Sequence, residues 1–370
     1  VTSLDDLPLR DDLRGQKPYG APQEQIRIQL NVNENTHPIP DGVTADILKS
    51  LAVAIRTVNR YPDREFTQLR ESLASYLGHS LRAQNIWAAN GSNEILQQFL
   101  QAFGGPGRSV LGFDPTYSMY PILASGTGTH WIGAPRDRDY HLTAETAVAA
   151  IRRNRPDIVI LCSPNNPTGT PLQLATIEAV YDATDGMVVV DEAYAEFAPA
   201  AQPSALTLLP GRPRLVVSRT MSKAFAFAGV RLGYLAADPA VTDAMRLVRL
   251  PYHLSALTQA AAIAALAHAP EMLAMVDDIK AQRDRILAEL PKLGYPVNES
   301  WSNFVLFGGV DDPHALFETL LECEIIIRDL DIPNSLRVSA GTEAETTEFL
   351  DVIARLTREG VGHALGRIGA

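Results

Sequence analysis

Five short segments of this chain carry side chains that do chemistry when they are brought together. Lys223 lies in Val217-Ser-Arg-Thr-Met-Ser-Lys-Ala-Phe-Ala-Phe-Ala-Gly-Val-Arg-Leu-Gly-Tyr234, among small and apolar neighbours. A desolvated lysine favours its neutral form, and a neutral amine can add to a carbonyl carbon. Thr220 and Ser222 set hydroxyls beside it and Arg231 follows; together they could hold a phosphate. The bland alternative is a surface lysine after a strand. Asp191 opens Asp191-Glu-Ala-Tyr-Ala-Glu-Phe197 behind an apolar run. A carboxylate there is costly unless it meets a cation, such as a protonated ring nitrogen; otherwise it caps a helix. Tyr194 is placed to hydrogen-bond a ring hydroxyl. Asn166, in Ser163-Pro-Asn-Asn-Pro-Thr-Gly169, offers an amide to the same oxygen or belongs to a plain turn. Ser92 and Asn93, in Asn90-Gly-Ser-Asn-Glu94, stand where the free N–H groups of a helix start bind anions, unless Ser92 only caps. Tyr117, in Asp114-Pro-Thr-Tyr-Ser-Met-Tyr120, can stack on a flat ring or fill a core.

These groups need a scaffold, and the flanking patterns describe one. Apolar runs at Ser109–Phe113, Ile158–Cys162, Met187–Val190 and Leu215–Val217 are short and rich in β-branched residues, so they read as strands buried on both faces. Leu69, Leu73, Tyr76 and Leu77 fall at helical spacing, as do Ile95, Leu96, Phe99, Leu100 and Phe103 in a helix opened by Asn90–Glu94. Strands alternating with helices predict a largely parallel sheet with helices on both faces, and binding sites in such sheets lie beyond the strands' carboxyl ends. Asn166, Asp191 and Lys223 all fall there. Past about Met245 come longer helices, apolar runs at Phe304–Phe307 and Ile325–Ile327, and a last helix near Glu343–Thr357, which together read as a second α+β lobe. The expected division is an N-terminal arm over 1–40, packed with the small domain, a large domain over 41–245 and a small one over 246–370.

Anion cradle, stacking aromatic, amide, carboxylate, then lysine with hydroxyls and an arginine: this order and chemistry fit one cofactor, pyridoxal phosphate, whose protonated ring is an electron sink. The set resembles the fold-type I aminotransferases of the aspartate-aminotransferase superfamily. Within them it looks like the histidinol-phosphate aminotransferase family in its actinobacterial form. The closer likeness rests on Leu7-Pro-Leu-Arg10, Tyr19-Gly-Ala-Pro22, Asn31-Val-Asn-Glu-Asn35, Asn59-Arg-Tyr-Pro-Asp63, Trp87-Ala-Ala-Asn-Gly-Ser-Asn-Glu-Ile-Leu-Gln-Gln98, Arg219-Thr-Met-Ser-Lys-Ala-Phe225, Leu250-Pro-Tyr-His-Leu-Ser255 and Ile325-Ile-Ile-Arg-Asp329. The resemblance implies an α/β fold with a mostly parallel seven-stranded sheet in the large domain and a smaller α+β domain. It implies transfer of an amino group between histidinol phosphate and 2-oxoglutarate, with Lys223, Asp191 and Tyr194 catalytic. It also implies a homodimer with shared sites, in which Tyr61 reaches the neighbour's cofactor phosphate. Arg337 matches the arginine that holds the substrate carboxylate, and Arg328, Tyr19, Asn33 and Tyr252 match residues lining the substrate pocket. Two positions depart from the pattern: Thr36, where a small residue or proline is expected, and Val230, where a second glycine is expected.

The nearest rival on the same scaffold is an aromatic (phenylalanine) aminotransferase; a decarboxylase resembling the threonine-phosphate enzyme and a cofactor-binding regulator with a DNA module are further ones. The chain's 370 residues carry a net charge of −11 and no basic run, which argues against non-specific nucleic-acid binding. Two cysteines, Cys162 and Cys323, form no disulfide framework and favour a reducing compartment. No membrane-spanning run occurs; Leu254–Ala269 reads as a buried helix interrupted by polar residues. The opening VTSLDDLPLR lacks the basic and apolar regions of a signal peptide, so a cytoplasmic location is expected. Gly126-Thr-Gly128 is no dinucleotide fingerprint, and the eight histidines show no metal-site spacing, so no metal is expected.

Overall fold

In the computed structural model of the chain, residues 3–15, 20 and 25–362 are described. In chain order the strands are β1 (Ile28–Gln29), β2 (Ile86–Ala89), β3 (Ser109–Asp114), β4 (His130–Pro135), β5 (Ile158–Cys162), β6 (Met187–Asp191), β7 (Leu215–Thr220), β8 (Gly233–Ala237), β9 (Phe304–Phe307), β10 (Ile325–Ile326) and β11 (Leu336–Ser339). The helices are α1 (Asp41–Ala54), α2 (Thr67–Leu77), α3 (Ser92–Phe103), α4 (Met119–Gly126), α5 (Ala144–Asn154), α6 (Leu174–Ala183), α7 (Pro239–Val248), α8 (Ala256–Ala267), α9 (Ala269–Glu289), α10 (Pro313–Glu322) and α11 (Glu343–Arg358).

Seven strands form one sheet in the order β2-β8-β7-β6-β5-β3-β4. From β4 across to β7 every neighbour is parallel; β8 alone runs the other way, antiparallel to both β7 and β2. Every residue of β5 is buried and so are all but the first of β6, which is why both read as unbroken apolar runs. Three expected strands extend further than their apolar runs: β3 to Asp114, β6 to Asp191 and β7 to Thr220. These extra residues are polar, and all but Arg219 turn toward the site. The strands β2, β4 and β8 carry no run that stands out in the sequence; β4 is an edge strand with most of its residues partly or fully exposed.

The helix α3 presents Ile95, Leu96, Phe99 and Leu100 to the core and stops at Gly104. Trp87 of β2 is fully buried, and its indole N–H donates to Gln98 Oε1 of α3 at 2.8 Å, tying helix to strand. The apolar run Leu254–Ala269 is a buried helix only to Ala267; the chain breaks at His268 and turns into α9. Among the described residues no single helix is long and apolar enough to cross a membrane, and α8 and the helix after it meet at a 78° bend.

Beyond the large sheet, β9 and β11 form an antiparallel pair, and β1 of the N-terminal arm pairs in parallel with β10, Ile28 against Ile325. Two further antiparallel bridges join Val297 to Phe307 and Arg328 to Arg337. Helices α9 and α11 pack with this second group, whereas α8 packs on α1 and α2.

Candidate active site

The carboxyl ends of β3, β5, β6 and β7, the start of α3 and the Arg328–Arg337 bridge close around one cavity of about 420 Å3. That volume suits a small ligand or cofactor. It is lined, among others, by Asn33, Ser92, Asn93, Tyr117, Asn166, Asp191, Tyr194, Thr220, Ser222, Lys223, Arg231, Arg328 and Arg337. The structure thus gathers all but three of the expected site residues. Tyr19 lies outside the described residues. Tyr61 and Tyr252 are elsewhere: their rings stack on each other at 4.4 Å, and Tyr61 is 80% exposed.

Lys223 follows β7 by three residues and turns its amine into the cavity, where it donates to the Val32 carbonyl at 2.9 Å. It is no surface lysine. Burial, then the nearby guanidinium of Arg337, pulls its pKa down to about 8, so a sizeable share of the amine is neutral near physiological pH.

Asp191 is the last residue of β6 and is buried. The hydroxyl of Tyr120 donates to Oδ2 at 2.7 Å and that of Ser218 to Oδ1 at 3.0 Å. No guanidinium or ammonium pairs with it among the described residues, and burial pushes its pKa up. Asp191 caps no helix, because the short turn that follows is capped at Tyr194. Tyr120 and Ser218 escaped the sequence reading. Ser218 had a signal, since it shares a face of β7 with Thr220; Tyr120 lies far along the chain and had none.

Tyr194, Asn166, Asn33 and Arg337 form one chain of hydrogen bonds. Asn33 and Asn166 each direct an amide N–H at the Tyr194 hydroxyl, at 3.0 and 3.3 Å. Arg337 donates to Asn166 Oδ1 at 2.6 Å and to the Asn31 carbonyl at 2.8 Å, and its guanidinium lies over the Phe304 ring. Arg328 and Arg337 exchange both backbone hydrogen bonds at 2.9 Å. Residues paired this way project to the same face, so two guanidinium stems rise side by side at the cavity.

The opposite end of the cavity combines neutral donors with one arginine. Gly91 caps α3, so Ser92 is its first helical residue and its hydroxyl caps nothing. The Ser222 N–H donates to Thr220 Oγ1, Thr220 Oγ1 donates to Ser222 Oγ, and Arg231 reaches Ser222 Oγ at 3.4 Å. Gly91 has φ +87, which favours glycine, and a Cβ there would stand 2.5 Å from the Arg231 guanidinium and push it from its place. Val230 keeps an ordinary backbone while Arg231 takes φ 61, so the left-handed position falls one residue after the departure and a side chain at 230 is tolerated. Thr36, the other departure, leaves a buried hydroxyl with no hydrogen-bond partner among the described residues. Cys162 also lines the cavity, and burial pushes its thiol up to about 12, which leaves it inert. No cluster of potential metal ligands occurs among the described residues.

The arrangement pairs an amine that loses its proton easily with a buried carboxylate facing the same space, an anion cradle at one end and two arginines at the other. Comparisons with known proteins agree with it. The family profile described as aminotransferase class I and II matches residues 25–353. The histidinol-phosphate aminotransferase of Paenarthrobacter aurescens is 62% identical over 95% of this chain and 96% of its own length, and that of Thermobifida fusca is 56% identical over 96% and 97%. The crystal structure of histidinol-phosphate aminotransferase from Sinorhizobium meliloti in complex with pyridoxal-5'-phosphate superposes with a TM-score of 0.85 at 26% identity, covering 97% of this chain and 100% of that one. The chain belongs to the class I and II aminotransferases and, within them, to the histidinol-phosphate aminotransferase family.

Proposed function

We infer that this protein is a pyridoxal-phosphate-dependent aminotransferase that interconverts histidinol phosphate and 2-oxoglutarate with imidazole-acetol phosphate and glutamate, a step of histidine biosynthesis. The observation that carries the reading is the 62% identity, over nearly the whole chain, to a relative of that name. The cavity supplies its physical reason.

The residues fit the cofactor. A buried carboxylate without a cationic partner is costly, and a pyridinium nitrogen is the partner Asp191 needs. When bound, the cofactor supplies a carbonyl carbon that condenses with amines and a cationic ring that draws electrons from the carbon losing its proton. Lys223 would hold the cofactor's carbonyl carbon, and its Nζ would serve as the base that moves a proton. Asp191 would pair with the ring nitrogen, and the hydroxyls of Tyr120 and Ser218, which favour its charged form, fix its two oxygens. Tyr194 and Asn166 hold the ring hydroxyl, and Tyr117 covers a ring face. Ser92, Asn93, Thr220, Ser222 and Arg231 hold the phosphate. Arg337 takes the carboxylate of glutamate. Arg328 joins it for the phosphate of the other substrate, since the guanidinium fork pairs with both anions. Asn33 orients Tyr194, and Tyr19 belongs with the substrate side.

The same reading makes the protein a cytoplasmic homodimer. Leu48, Val53, Ile55, Val58, Leu247 and Leu250 are exposed apolar residues on α1 and the segments around Tyr61 and Tyr252. Exposed apolar residues that gather into one patch favour association, and this reading takes these as part of the dimer surface. In the dimer, Tyr61 of the partner subunit reaches the cofactor phosphate, with Tyr252 stacked behind it. Inactive Tyr61→Ala and Lys223→Ala homodimers, mixed and allowed to exchange subunits, should regain activity, because one site of each hybrid keeps both residues. A fully active monomer would end this part of the reading. We divide the chain into the arm, a large domain over 41–245 and a small one over 246–370, with α8 at the joint.

Steady-state rates with histidinol phosphate and with phenylalanine, each against 2-oxoglutarate, test the substrate. A higher kcat/KM for histidinol phosphate is expected. The opposite order would overturn the substrate while leaving the cofactor chemistry intact.

A further inference from the structure

Behind the strand ends that carry Asp191 and Lys223 lies a nearly buried ionic cluster that the reaction scheme does not use. Arg219 of β7 donates from Nε and Nη2 to Glu192 Oε2 at 3.1 and 2.8 Å, and from Nη1 to Glu196 Oε1 at 3.3 Å. Ser204 lies between them: its hydroxyl donates to Glu192 Oε2 at 2.6 Å and receives Arg219 Nη2 at 3.0 Å. The other Glu192 oxygen accepts from the Ala205 N–H at 2.7 Å, and the Tyr76 hydroxyl donates to Glu196 Oε1 at 3.2 Å. The three charged side chains expose only 12%, 6% and 7% of their surface.

Strand geometry says what such a cluster does. Side chains alternate faces along a strand. Ser218 and Thr220 therefore point one way, to Asp191 and into the cavity, and Arg219 points the other. Asp191 sits opposite Ser218 in the ladder, and the Glu192 N–H donates to the Ser218 carbonyl at 2.8 Å. Glu192 thus leaves β6 on the reverse face, where Arg219 meets it. Glu196 comes two residues after Tyr194, in the turn that carries the tyrosine. One guanidinium therefore grips the residue after Asp191, the residue two beyond Tyr194, and its own strand, which runs on to Thr220, Ser222 and Lys223.

We propose that Arg219 is a positioning residue: through Glu192 and Glu196 it sets Asp191 and Tyr194 against the cofactor ring and fixes both relative to Lys223. The proposal rests on the reading of those three residues given above. Two carboxylates share a single guanidinium, and Glu196 Oε2 is buried with no hydrogen-bond partner among the described residues. Burial pushes the Glu196 carboxyl up, so it takes a proton more readily than a surface glutamate. Glu192 takes two of the three guanidinium hydrogen bonds and those of Ser204 and the Ala205 N–H, whereas Glu196 takes one guanidinium bond and that of Tyr76, so Glu192 is the main partner and Glu196 a prop. A lysine at 219 offers a point charge in place of a planar fork and cannot hold both carboxylates in the same geometry.

The test uses the full-length holoenzyme and apoenzyme of Arg219→Lys, Glu196→Gln, Arg219→Met and the double variant Arg219→Met with Glu192→Met. Three quantities are read: the melting temperature of the apoenzyme, the pH at which the bound cofactor's absorbance changes, and kcat apart from KM. Arg219→Lys should fold, shift the absorbance titration, and lose about ten- to a hundred-fold in kcat with KM nearly unchanged, the scale of a small misplacement of reacting groups. Glu196→Gln should stay within about three-fold of wild type, the scale of a neutral hydrogen bond altered. Arg219→Met leaves a buried carboxylate unpaired and should melt early; the double variant replaces the pair by apolar groups and should recover melting temperature but not kcat or the titration. If the double variant recovers all three, or if Arg219→Lys lowers only the melting temperature, the cluster is structural and the proposal falls. An absorbance titration that survives in Lys223→Ala would instead overturn the underlying reading of the site.

Discussion

Under the proposed function the two ends of the cavity would both take anions, and they are built differently. The end near α3 and β7 uses backbone N–H groups, the hydroxyls of Thr220 and Ser222, and one arginine held at φ 61, all mounted on the rigid seven-stranded sheet. The other end uses two arginines on a single bridge between short segments, Arg328 and Arg337, with Arg337 over an aromatic ring. Small neutral donors in fixed places fit one group closely and do not adapt. Guanidinium forks on long stems reach anions of different shape. The first design suits a phosphate that stays, and the second suits a carboxylate and a phosphate that alternate. Between them, Lys223 and Asp191 stand at strand ends, where their positions depend on the ladder and not on either anion.

The sharpest way to break this comparison is at its centre. Lys223→Ala should lose turnover by several orders of magnitude, because the carbon anchor and the proton carrier go together. In the wild type, borohydride should trap the cofactor on Lys223; an adduct on another lysine would end the reading. Its pKa of about 8 in the folded chain, against an ordinary 10.5, gives a second measurement. Between these values the unfolded chain binds the proton and the folded one does not, so apoenzyme stability should rise with pH across that window. Below about pH 8 the burial cost is fully present, up to about 3 kcal/mol, and Lys223→Met apoenzyme should be more stable by as much. Flat stability from pH 8 to 10.5 would contradict the burial of the amine. Next in size is Asp191→Asn, expected to keep the cofactor but lose about 10²-fold or more in kcat, as for removal of one aligned electrostatic partner. Near-normal turnover would show that no ring nitrogen depends on it.

The rigid half of this design was easier to read in the sequence than the adaptable half. The strands β5, β6 and β7 are buried on both faces, so they appear as apolar runs, and the polar residue after each run marks a site. The strands β4 and β8 escaped: β4 lies at the edge with only one buried residue, and β8 reads Gly-Tyr-Leu-Ala-Ala with no β-branched residue. The partners of the chemical groups escaped for another reason. The hydroxyl that holds Asp191 comes from Tyr120, 71 residues away, and the carbonyl that receives Lys223 comes from Val32, 191 residues away. No local pattern encodes such meetings, since they follow from which segments the sheet order brings together. Arg328 and Arg337 were legible only through resemblance, because an arginine next to a short apolar run looks like any exposed strand residue until the bridge between them is seen.

On the adaptable half, Arg337→Ala should weaken every substrate, since each places an anion there. The loss of a charge-assisted bond corresponds to about 1.5–3 kcal/mol, or about ten- to a hundred-fold in kcat/KM. Arg328→Ala is the smaller and more selective change. A phosphate monoester carries nearly two charges and three acceptor oxygens, whereas a carboxylate has one charge and two oxygens, so the second fork matters more to histidinol phosphate than to glutamate. The variant should therefore lose about ten-fold in kcat/KM for histidinol phosphate and less for glutamate, while the cofactor's absorbance stays as in wild type. Equal small losses on both substrates would mean that Arg328 contributes only as a surface charge. The two ends of the cavity would then differ in position but not in design.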